Sequence, residues 1–427
     1  MYISKGGLLM LIQFNFKNFR SFRDESILDL SATKITEFSN RVVSIGNERV
    51  LPIATIYGAN ASGKTGVYEA FEYMSMYVVE SFKFDDDEES GTPQRTPFSF
   101  DDSSLKADSS FEVYFTMASD IKERTYNYGF CIGEEGVTEE WLNAKAKTAK
   151  EYKTIFYRSN ETLDLQGIPK RSRDNIRVAL EKHTLIISLG AKLRIEKCKE
   201  IREWFWNNEF IDFGDEIASF IRSRNLPHDF ASNKQVQNTI VNYFSSFDEY
   251  GIKGFTVEEH PDEENPKEIR YSISSKHKKV NSEKMGEIPL SRESAGTLKM
   301  FTLYPYLQDV LERGSVLFVD ELNARLHPLL VRNFILLFLN PKINKNNAQL
   351  IFTTHDVWLL NSQLLRRDEI WFTEKDENGI SHLYSLVDFS GDDGTKVRKD
   401  ENYEKNYIFG KYGAIPTLRN LYTTEED

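Results

Sequence analysis

Hydrophobic and polar positions follow three successive patterns at the start of the chain. Residues 11–16 (LIQFNF) alternate apolar and polar side chains, which predicts a half-buried strand. Residues 20–23 and 27–30 predict a second strand paired with it. Residues 51–57 form a continuous apolar run, which is typical of a fully buried strand. A long helix is then predicted, because apolar side chains recur at helical spacing at Val67, Ala70, Phe71, Met74 and Val78.

Aromatic and β-branched residues are concentrated in the middle of the chain. They predict an antiparallel meander with strands around 111–115, 126–132, 137–142 and 155–157. Between 172 and about 247 the pattern becomes helical, with Trp204, Phe205 and Trp206 marking one apolar face. Residues 255–257 and 269–273 then predict a hairpin.

The last third of the chain returns to alternating strands and helices. Residues 315–320 and 349–354 are typical of buried strands, and Pro328 to Leu339 predict a helix between them. Residues 369–372 and 382–384 predict edge strands. Because the first and last parts share this α/β character, we expect one α/β unit that is split by the residues between its halves.

The residues between the buried strand and the long helix carry the strongest chemical signal. They read GANASGKT, a complete G-x4-G-K-T phosphate-binding loop. Its glycines let backbone N–H groups turn toward a triphosphate, and the following helix offers its positive N-terminus. Lys64 would reach the β- and γ-phosphates, and the Thr65 hydroxyl would bind Mg²⁺. The candidate nucleotide-binding residues of this loop are Gly58, Asn60, Ala61, Ser62, Gly63, Lys64 and Thr65.

Two later strands end in polar residues that suit a magnesium-dependent nucleoside triphosphatase. Asp320 would position the metal ion, and Glu321 would orient or deprotonate the attacking water. Apolar residues followed by Asp-Glu are common, so this interpretation depends on the phosphate-binding loop. His355 follows the next strand; a histidine in such a place is by itself more often structural, but here it is a candidate sensor of the γ-phosphate.

A Ser-x-Gly turn precedes the apolar helical stretch 298–311. Ser294 and Gly296 lie in SRESAGT, and a serine hydroxyl with free backbone N–H groups at a helix N-terminus can bind a second anion. An ordinary helix N-cap explains the same residues, and taken alone it is the preferred interpretation.

Composition limits the possible classes of protein. With 427 residues and 40% hydrophobic residues, the chain can bury one large core or two smaller ones. No apolar run approaches the ~20 residues that span a bilayer, and the start is too short and too weakly basic for a secretory signal. Two cysteines imply neither a disulfide framework nor a metal cage. We therefore expect a cytoplasmic protein without a membrane partner.

The net charge of −12 argues against a protein that coats nucleic acid uniformly, but it allows a local basic groove. The candidate clusters are Lys276-His277-Lys278-Lys279 and residues 192–202 (KLRIEKCKEIR). Solvated faces of a loop and a helix are the preferred interpretation of both.

The order GANASGKT, SRESAGT, VLFVDEL and FTTHD resembles the ABC-type ATPase heads shared by SMC-like and DNA-repair ATPases. The opening LIQFNFKNFRSF, the phrase DELNARLHPLL and the closing KYGAIPTL resemble, more narrowly, AAA-type ATPases of bacterial abortive infection and phage defence, related to the ATPase domain of OLD-family nucleases. The resemblance covers both nucleotide-binding halves and part of the β-rich region. It implies an α/β fold with a split ABC-type P-loop ATPase head, an antiparallel β lobe and a helical insertion.

The resemblance also implies roles for the candidate residues. Two heads would enclose two molecules of ATP with Mg²⁺, so that the Lys64 loop of one copy faces Ser294 and Gly296 of the other. Glu321 and His355 would be catalytic, as general base and γ-phosphate contact, and Thr65 and Asp320 would bind the metal. Hydrolysis would drive opening and closing of the pair of heads.

Three features depart from the family pattern or are missing from it. Asn323 stands where relatives commonly carry a second acidic residue, which puts its role in subunit communication in doubt. SRESAGT is a loose form of the transporter signature LSGGQ. No glutamine loop can be assigned from the sequence, although Gln94 lies in a plausible region.

The predicted organisation places the two halves of the ATPase head at residues 1–80 and 290–390. A β-rich lobe would occupy residues 81–170 and a mainly helical insertion with a hairpin residues 171–289. Residues 391–427 would form a C-terminal tail.

Two functions from different classes fit these features. The first is an ATPase, a homodimer or higher oligomer, that senses a trigger and regulates a separate effector protein, a nuclease or toxin, in antiviral defence. It rests on the resemblance and on the short stretch after His355, where GDDG at 391–394 reads as a turn and not as a nuclease metal site. The alternative is a repair or structural ATPase that clamps DNA between two heads. The basic clusters favour this alternative, whereas the acidic balance and the absence of heptads disfavour it. A transport ATPase subunit and a non-hydrolysing nucleotide-binding scaffold are further alternatives.

Overall fold

The computed structural model describes residues 9–84, 92–117, 120, 123–214, 230–245, 251–261, 269–391 and 394–416. The chain forms two compact units, of which the first comprises Met1–Ile211, Val310–Glu321 and Leu337–Asp427. The second unit comprises Asp212–Asp309 and Leu322–Leu336. Across the ranges described, no helix has the length and apolar character needed to cross a membrane. The predicted five-part organisation stays a prediction.

Five strands precede the first α-helix, strands follow one another directly in the middle of the chain, and α-helices and strands alternate between residues 295 and 353. The strands are β1 (Leu11–Lys17), β2 (Ser26–Asp29), β3 (Val43–Ile45), β4 (Glu48–Val50), β5 (Ile53–Gly58), β6 (Ser109–Thr116), β7 (Thr125–Gly133), β8 (Gly136–Lys145), β9 (Lys153–Ser159), β10 (Leu163–Asp164), β11 (Glu209–Asp212), β12 (Gly254–Pro261), β13 (Ile269–Lys278), β14 (Met285–Pro289), β15 (Val316–Asp320), β16 (Gln349–Thr353), β17 (Ile370–Lys375) and β18 (Ser381–Ser385). The α-helices are α1 (Lys64–Glu80), α2 (Asp102–Lys106), α3 (Lys170–Ala179), α4 (Ile186–Lys192), α5 (Glu196–Trp206), α6 (Lys234–Ser245), α7 (Ala295–Arg313), α8 (Pro328–Leu339) and α9 (Tyr403–Ile408). Short 3-10 helices cover Ser39–Arg41, Ser81–Lys83, Leu290–Arg292, Val357–Leu359 and Arg367–Glu369.

A six-stranded sheet in the first unit combines strands from the N-terminal and C-terminal parts of the chain. Its order is β11-β15-β16-β5-β17-β18, and β5 pairs in parallel with both β16 and β17. Because β15 and β16 are also parallel, the carboxyl ends of β5, β15 and β16 lie at one edge of the sheet. The prediction of an α/β unit split by inserted residues is therefore confirmed.

A seven-stranded antiparallel sheet forms the second layer of this unit, in the order β10-β9-β8-β7-β6-β1-β2. It confirms the predicted meander and the predicted pairing of the first two strands. Helix α1 packs between the two sheets, since the ring centroid of Phe71 lies 5.0 Å from that of Phe14 in β1 and 6.4 Å from that of Phe318 in β15. This aromatic core fixes the start of α1, and with it the phosphate-binding loop.

The second unit is built on a three-stranded antiparallel sheet in the order β12-β13-β14. Aromatic packing among Phe230, Phe255 and Phe301, with ring centroids 5.2–5.9 Å apart, joins this sheet to α7. The predicted hairpin of β12 and β13 is confirmed. The sequence did not predict β14, because its residues MGEIP are mostly exposed and include a glycine and a proline, which are uncommon in strands.

Three expectations about local structure are wrong. Trp206 is 60% exposed, so the apolar face of α5 contains Trp204 and Phe205 without it. Strand β17 is interior, between β5 and β18, because an apolar run as short as IWF does not distinguish an edge from an interior position. The region predicted as helical also contains β11, which is too short for its period to be visible.

Candidate functional site

The phosphate-binding loop between β5 and α1 is held in place by the protein itself. A Cβ atom at Gly58 would lie 2.4 Å from Ser62 Oγ and 2.5 Å from the Thr373 carbonyl oxygen, so only glycine fits there. Gly63 adopts a φ of +116°, which side chains rarely tolerate. The hydroxyls of Ser62 and Thr373 are 2.6 Å apart, which ties the loop to the neighbouring strand β17.

The ammonium group of Lys64 lies inside the loop. Its Nζ donates hydrogen bonds of 2.9 Å to the carbonyls of Gly58 and Ala59, and the residue is 7% exposed. Burial lowers the pKa of Lys64, whereas the charges of Asp320 and Glu321 raise it. A cation is thus held in a poorly solvated position, where its attraction for a phosphate is stronger than in water.

Thr65 and Asp320 meet at the carboxyl edge of the sheet. Thr65 Oγ1 donates a 2.8 Å hydrogen bond to Asp320 Oδ2, and Thr353 Oγ1 donates a 2.5 Å bond to Asp320 Oδ1. Asp320 is 2% exposed. A hydroxyl and a carboxylate are hard oxygen ligands of the type that Mg²⁺ prefers, so these residues fit the predicted metal site.

The backbone of Glu321 is strained. Its φ is +52°, in the left-handed region, and its N–H donates a 2.9 Å hydrogen bond to Thr353 Oγ1. A non-glycine residue in that region costs on the order of 1–3 kcal/mol and persists where the surroundings impose it. The half-buried Glu321 lines the same cleft as the phosphate-binding loop.

That cleft has a volume of about 700 Å³, within the range of small-molecule sites, roughly 300–1,000 Å³. Glu321 and most of the phosphate-binding loop line it. Further lining residues, which the sequence did not assign, include Arg20, Glu69, Arg95, Phe100 and Lys375. Gln94 lines the cleft as well, which keeps it a candidate for the glutamine loop.

Several of these residues reach the cleft through long-range contacts. Arg20 lies between β1 and β2, its N–H donates to the Thr96 carbonyl at 2.7 Å, and its guanidinium pairs with Glu69 at 2.8 Å. The segment with Gln94 and Phe100 is held by Asn18, whose Oδ1 accepts a 3.0 Å hydrogen bond from the Phe98 N–H. In the sequence, the only signal for Arg20 was its position in the phrase NFRSF.

His355 follows β16 and is exposed. It lies beyond the carboxyl end of that strand, at the same edge of the sheet as Asp320 and the phosphate-binding loop. His355 is not among the described residues that line the cleft. Its contact with a γ-phosphate stays a prediction.

Ser294 and Gly296 line a different cavity, of about 400 Å³, within the second unit. Ser294 Oγ accepts a 3.1 Å hydrogen bond from the Thr297 N–H and so caps α7, as the ordinary interpretation predicted. A Cβ at Gly296 would lie 3.2 Å from the Arg325 carbonyl oxygen, so the helix start packs closely on the loop that follows Glu321 in the chain.

The same loop is held by a lysine that the sequence analysis did not select. Lys299 Nζ donates hydrogen bonds to the carbonyls of Leu322 (2.9 Å) and Ala324 (2.6 Å), and Lys299 is 8% exposed. Asn323 therefore lies in a segment that is fixed through its backbone. In the sequence, the signal for this role of Lys299 was that it is the single lysine within the apolar helical stretch 298–311.

The predicted basic clusters are paired with acidic residues. Ion pairs join Lys197 to Glu200, Lys199 to Glu203, Arg202 to Glu80 and Lys276 to Glu287. These pairs favour solvated faces over a basic groove. In the predicted turn at 391–394, the Gly394 N–H donates to the Gly391 carbonyl at 2.8 Å. Asp392 and Asp393 lie outside the described residues.

One comparison with known proteins covers the residues of the site. A family model described as "AAA domain, putative AbiEii toxin, Type IV TA system" matches residues 53–361. The match begins at β5 and ends after His355. Comparison with curated proteins gives no match. A solved structure of the recombination mediator protein RecF with ATP matches 90% of this chain and 100% of its own chain, at 12% identity and a TM-score of 0.30.

Proposed function

The chain belongs to this AAA-domain family, and from that premise we propose that it hydrolyses ATP to ADP and phosphate with the help of Mg²⁺. The observation that carries the proposal is the group formed by Thr65, Asp320 and Thr353 next to the phosphate-binding loop. The rigid glycine positions of that loop and the buried Lys64 support it.

Each residue has a role that follows from its position. Mg²⁺, when bound, supplies positive charge that stabilises the charge developing on the phosphates. Thr65 and Asp320 would hold it, directly or through water. Lys64 would bind the β- and γ-phosphates. Glu321 would accept a proton from the water whose oxygen attacks the γ-phosphorus, while the bond to the ADP oxygen breaks.

The active unit in this proposal is a homodimer or higher oligomer that closes around ATP. The exposed Ser294 at the start of α7 would complete the site of a second copy, with Gly296 allowing close approach. His355 would contact the γ-phosphate there. The closed and open states would regulate a separate effector in antiviral defence. The family description names a putative toxin and a type IV toxin–antitoxin system, and the proposed link to defence starts from those words.

Glu321→Gln tests the hydrolytic part of the proposal. We expect phosphate release to fall to background, while ATP-bound dimers accumulate in light-scattering measurements, because the amide cannot accept the proton. Glu161→Gln, the same change at an exposed residue, is the matched control and should retain activity. Normal hydrolysis by Glu321→Gln would contradict the assignment of the general base.

Two further measurements test the dimer and the biological role. Ser294→Arg should abolish ATP-dependent dimerisation, and undiminished ATPase activity in this variant would argue against a cross-subunit site.

In cells that carry the gene with its neighbours, the wild-type chain should reduce phage plating and Glu321→Gln should not. Equal plating with both chains would count against the defence role.

A further inference from the structure

The residue directly before Ser294 is an acid that points into the second unit. The Glu293 side chain is 10% exposed, whereas Ser294 is exposed. Glu293 Oε1 accepts a hydrogen bond from the Ser275 hydroxyl and lies 2.6 Å from His277 Nε2. A buried carboxylate needs hydrogen-bond partners, and these two contacts supply them.

Both partners lie on the middle strand of the three-stranded sheet. Ser275 and His277 are two positions apart on β13, so their side chains share one face of the sheet. Ser275 is fully buried, so the surrounding residues hold its side chain in place. The strand β14 pairs with these positions and leads through the 3-10 helix Leu290–Arg292 directly to Glu293. Glu293 is thus connected to the sheet covalently through β14 and by hydrogen bonds to β13.

On its other side, Glu293 is joined to the first turn of α7. The Ser294 hydroxyl accepts from the Thr297 N–H at 3.1 Å, and the Leu298 N–H donates to the Ser294 carbonyl at 2.9 Å. Glu293, whose side chain is hydrogen-bonded to β13, is joined by a single peptide bond to Ser294, where this turn begins. A movement of β13 that displaces Glu293 must therefore displace Ser294 or break the cap.

We propose that Ser275 and His277 are positioning residues, which act through Glu293 to fix the Ser294 hydroxyl and the first turn of α7. Through them, the three-stranded sheet controls the nucleotide site that this turn completes in a second copy of the chain. The inference rests on the proposed function for the role of Ser294, but the coupling of β13 to the turn is a property of one chain.

Hydrogen exchange of the full chain without nucleotide tests the coupling by itself. In His277→Ala, we expect the amides of residues 294–299 to exchange faster by roughly tenfold or more, because the carboxylate that anchors the turn loses a partner. His277→Gln keeps an N–H donor and should restore protection. His260→Ala is the matched control, since His260 is an exposed histidine of the same sheet, 3.8 Å from Glu258. Unchanged exchange in both His277→Ala and Glu293→Ala would overturn the inference.

Steady-state kinetics separate positioning from general loss of structure. His277→Ala should lower kcat by roughly 10- to 100-fold, the effect of a slightly misplaced group. KM for ATP should change little, because the phosphate-binding loop is intact. His277→Gln should recover most of kcat. A proportional loss of folded protein, with normal kcat per folded molecule, would overturn the proposal.

Mixing two impaired variants tests the action on a second copy. His277→Ala keeps Lys64, and Lys64→Ala keeps the β13 contacts, so a mixed dimer contains one site with both halves intact. We expect the ATPase activity of the mixture to exceed the sum of the activities of the two variants measured alone. A mixture no more active than that sum, with His277→Ala and Lys64→Ala shown to associate, would refute the control of a second copy. If the wild-type chain showed no ATP turnover, the proposed function would fail, and the exchange experiment would still decide the coupling.

Discussion

The Thr65 hydroxyl donates a 2.8 Å hydrogen bond to the carboxylate of Asp320, across 255 positions of the chain. The bond joins the first turn of α1 to the end of β15, which the pairing of β15, β16 and β5 brings to the same edge. Thr353, at the end of β16, donates a hydrogen bond to the other oxygen of the same carboxylate. Both oxygens of Asp320 are thus oriented by hydroxyl groups, which presets the geometry of a metal site.

Asp320→Asn should abolish magnesium-dependent hydrolysis. The amide has no negative charge and only one acceptor oxygen, so a loss of several kcal/mol, or roughly 100-fold or more in kcat, is expected. Phosphate release at several Mg²⁺ concentrations checks this result. Thr65→Ser, which keeps the hydroxyl, should retain much of the activity. An Asp320→Asn variant with the Mg²⁺ dependence of the wild type would rule out the assigned metal ligand.

The phosphate-binding loop and Asp320-Glu321 could be predicted because their signals are local. The order of residues in GANASGKT and the apolar strand before Asp320 determine the chemistry within a few positions. Thr353 and Thr373 could not be predicted, since their roles arise from the pairing of β5 with β16 and β17. Arg20 and Phe100 reach the cleft through tertiary contacts that no spacing in the sequence expresses.

The same distinction between local and tertiary signals explains which elements of the fold the sequence predicted wrongly. Long periodic segments such as α1 and the meander were predicted correctly, because many positions contribute to the pattern. Strand β14 contains a glycine and a proline and β11 is short, and each is a strand because a neighbouring strand offers hydrogen bonds to it. The periodicity of a sequence likewise does not reveal the order of the strands in a sheet, which is why the sequence predicts β17 at an edge.

Gly58→Ala should weaken nucleotide binding. The added methyl group would lie 2.5 Å from the Thr373 carbonyl oxygen, which is backbone and cannot turn away, so the loop must shift from β17. We expect the affinity for ATP, measured by calorimetry, to fall by more than about tenfold, or 1.4 kcal/mol. Gly254→Ala is the control, because its Cβ would make only ordinary contacts with Lys276, at 3.5–3.9 Å. Wild-type affinity in Gly58→Ala would contradict the loop geometry.

Phe100→Ala should weaken the binding of ATP but not of tripolyphosphate. Phe100 is 78% exposed although it lines a cleft rich in polar groups, which leaves an aromatic face available to a nucleobase. Stacking of a base on an aromatic side chain contributes roughly 1–3 kcal/mol, or about 5- to 150-fold in affinity. Competition binding with both ligands measures the difference, and Phe100→Tyr should behave like the wild type.

A suitable control for that experiment is Phe409→Ala, since Phe409 is similarly exposed, at 76%, and does not line the cleft. It should bind ATP normally. Equal losses for ATP and tripolyphosphate in Phe100→Ala would show that the substitution disturbs the phosphate-binding loop and that the ring does not contact the base.

Stability should depend on pH through Glu140, a fully buried residue of β8. Its carboxylate accepts hydrogen bonds from the N–H groups of Ile186 (2.6 Å) and Ile187 (3.2 Å) and from the Tyr128 hydroxyl (3.0 Å). Burial raises the pKa of Glu140 from its ordinary 4.5 to about 7, although these hydrogen bonds and Arg158 oppose the shift. The folded chain therefore binds this proton more tightly than the unfolded chain does.

The sign of the effect follows from that difference in pKa. The stabilisation is fully present below pH 4.5 and is lost as the pH rises through about 7, a change of a few kcal/mol at most. Glu140→Gln keeps an acceptor for the amides but does not titrate. We expect its melting temperature to gain on that of the wild type between pH 5 and pH 8, as measured by thermal unfolding in a pH series. Because Glu369, whose pKa burial raises to about 8, is present in both chains, the difference isolates Glu140. A difference that is constant with pH would show that Glu140 titrates normally in the folded chain.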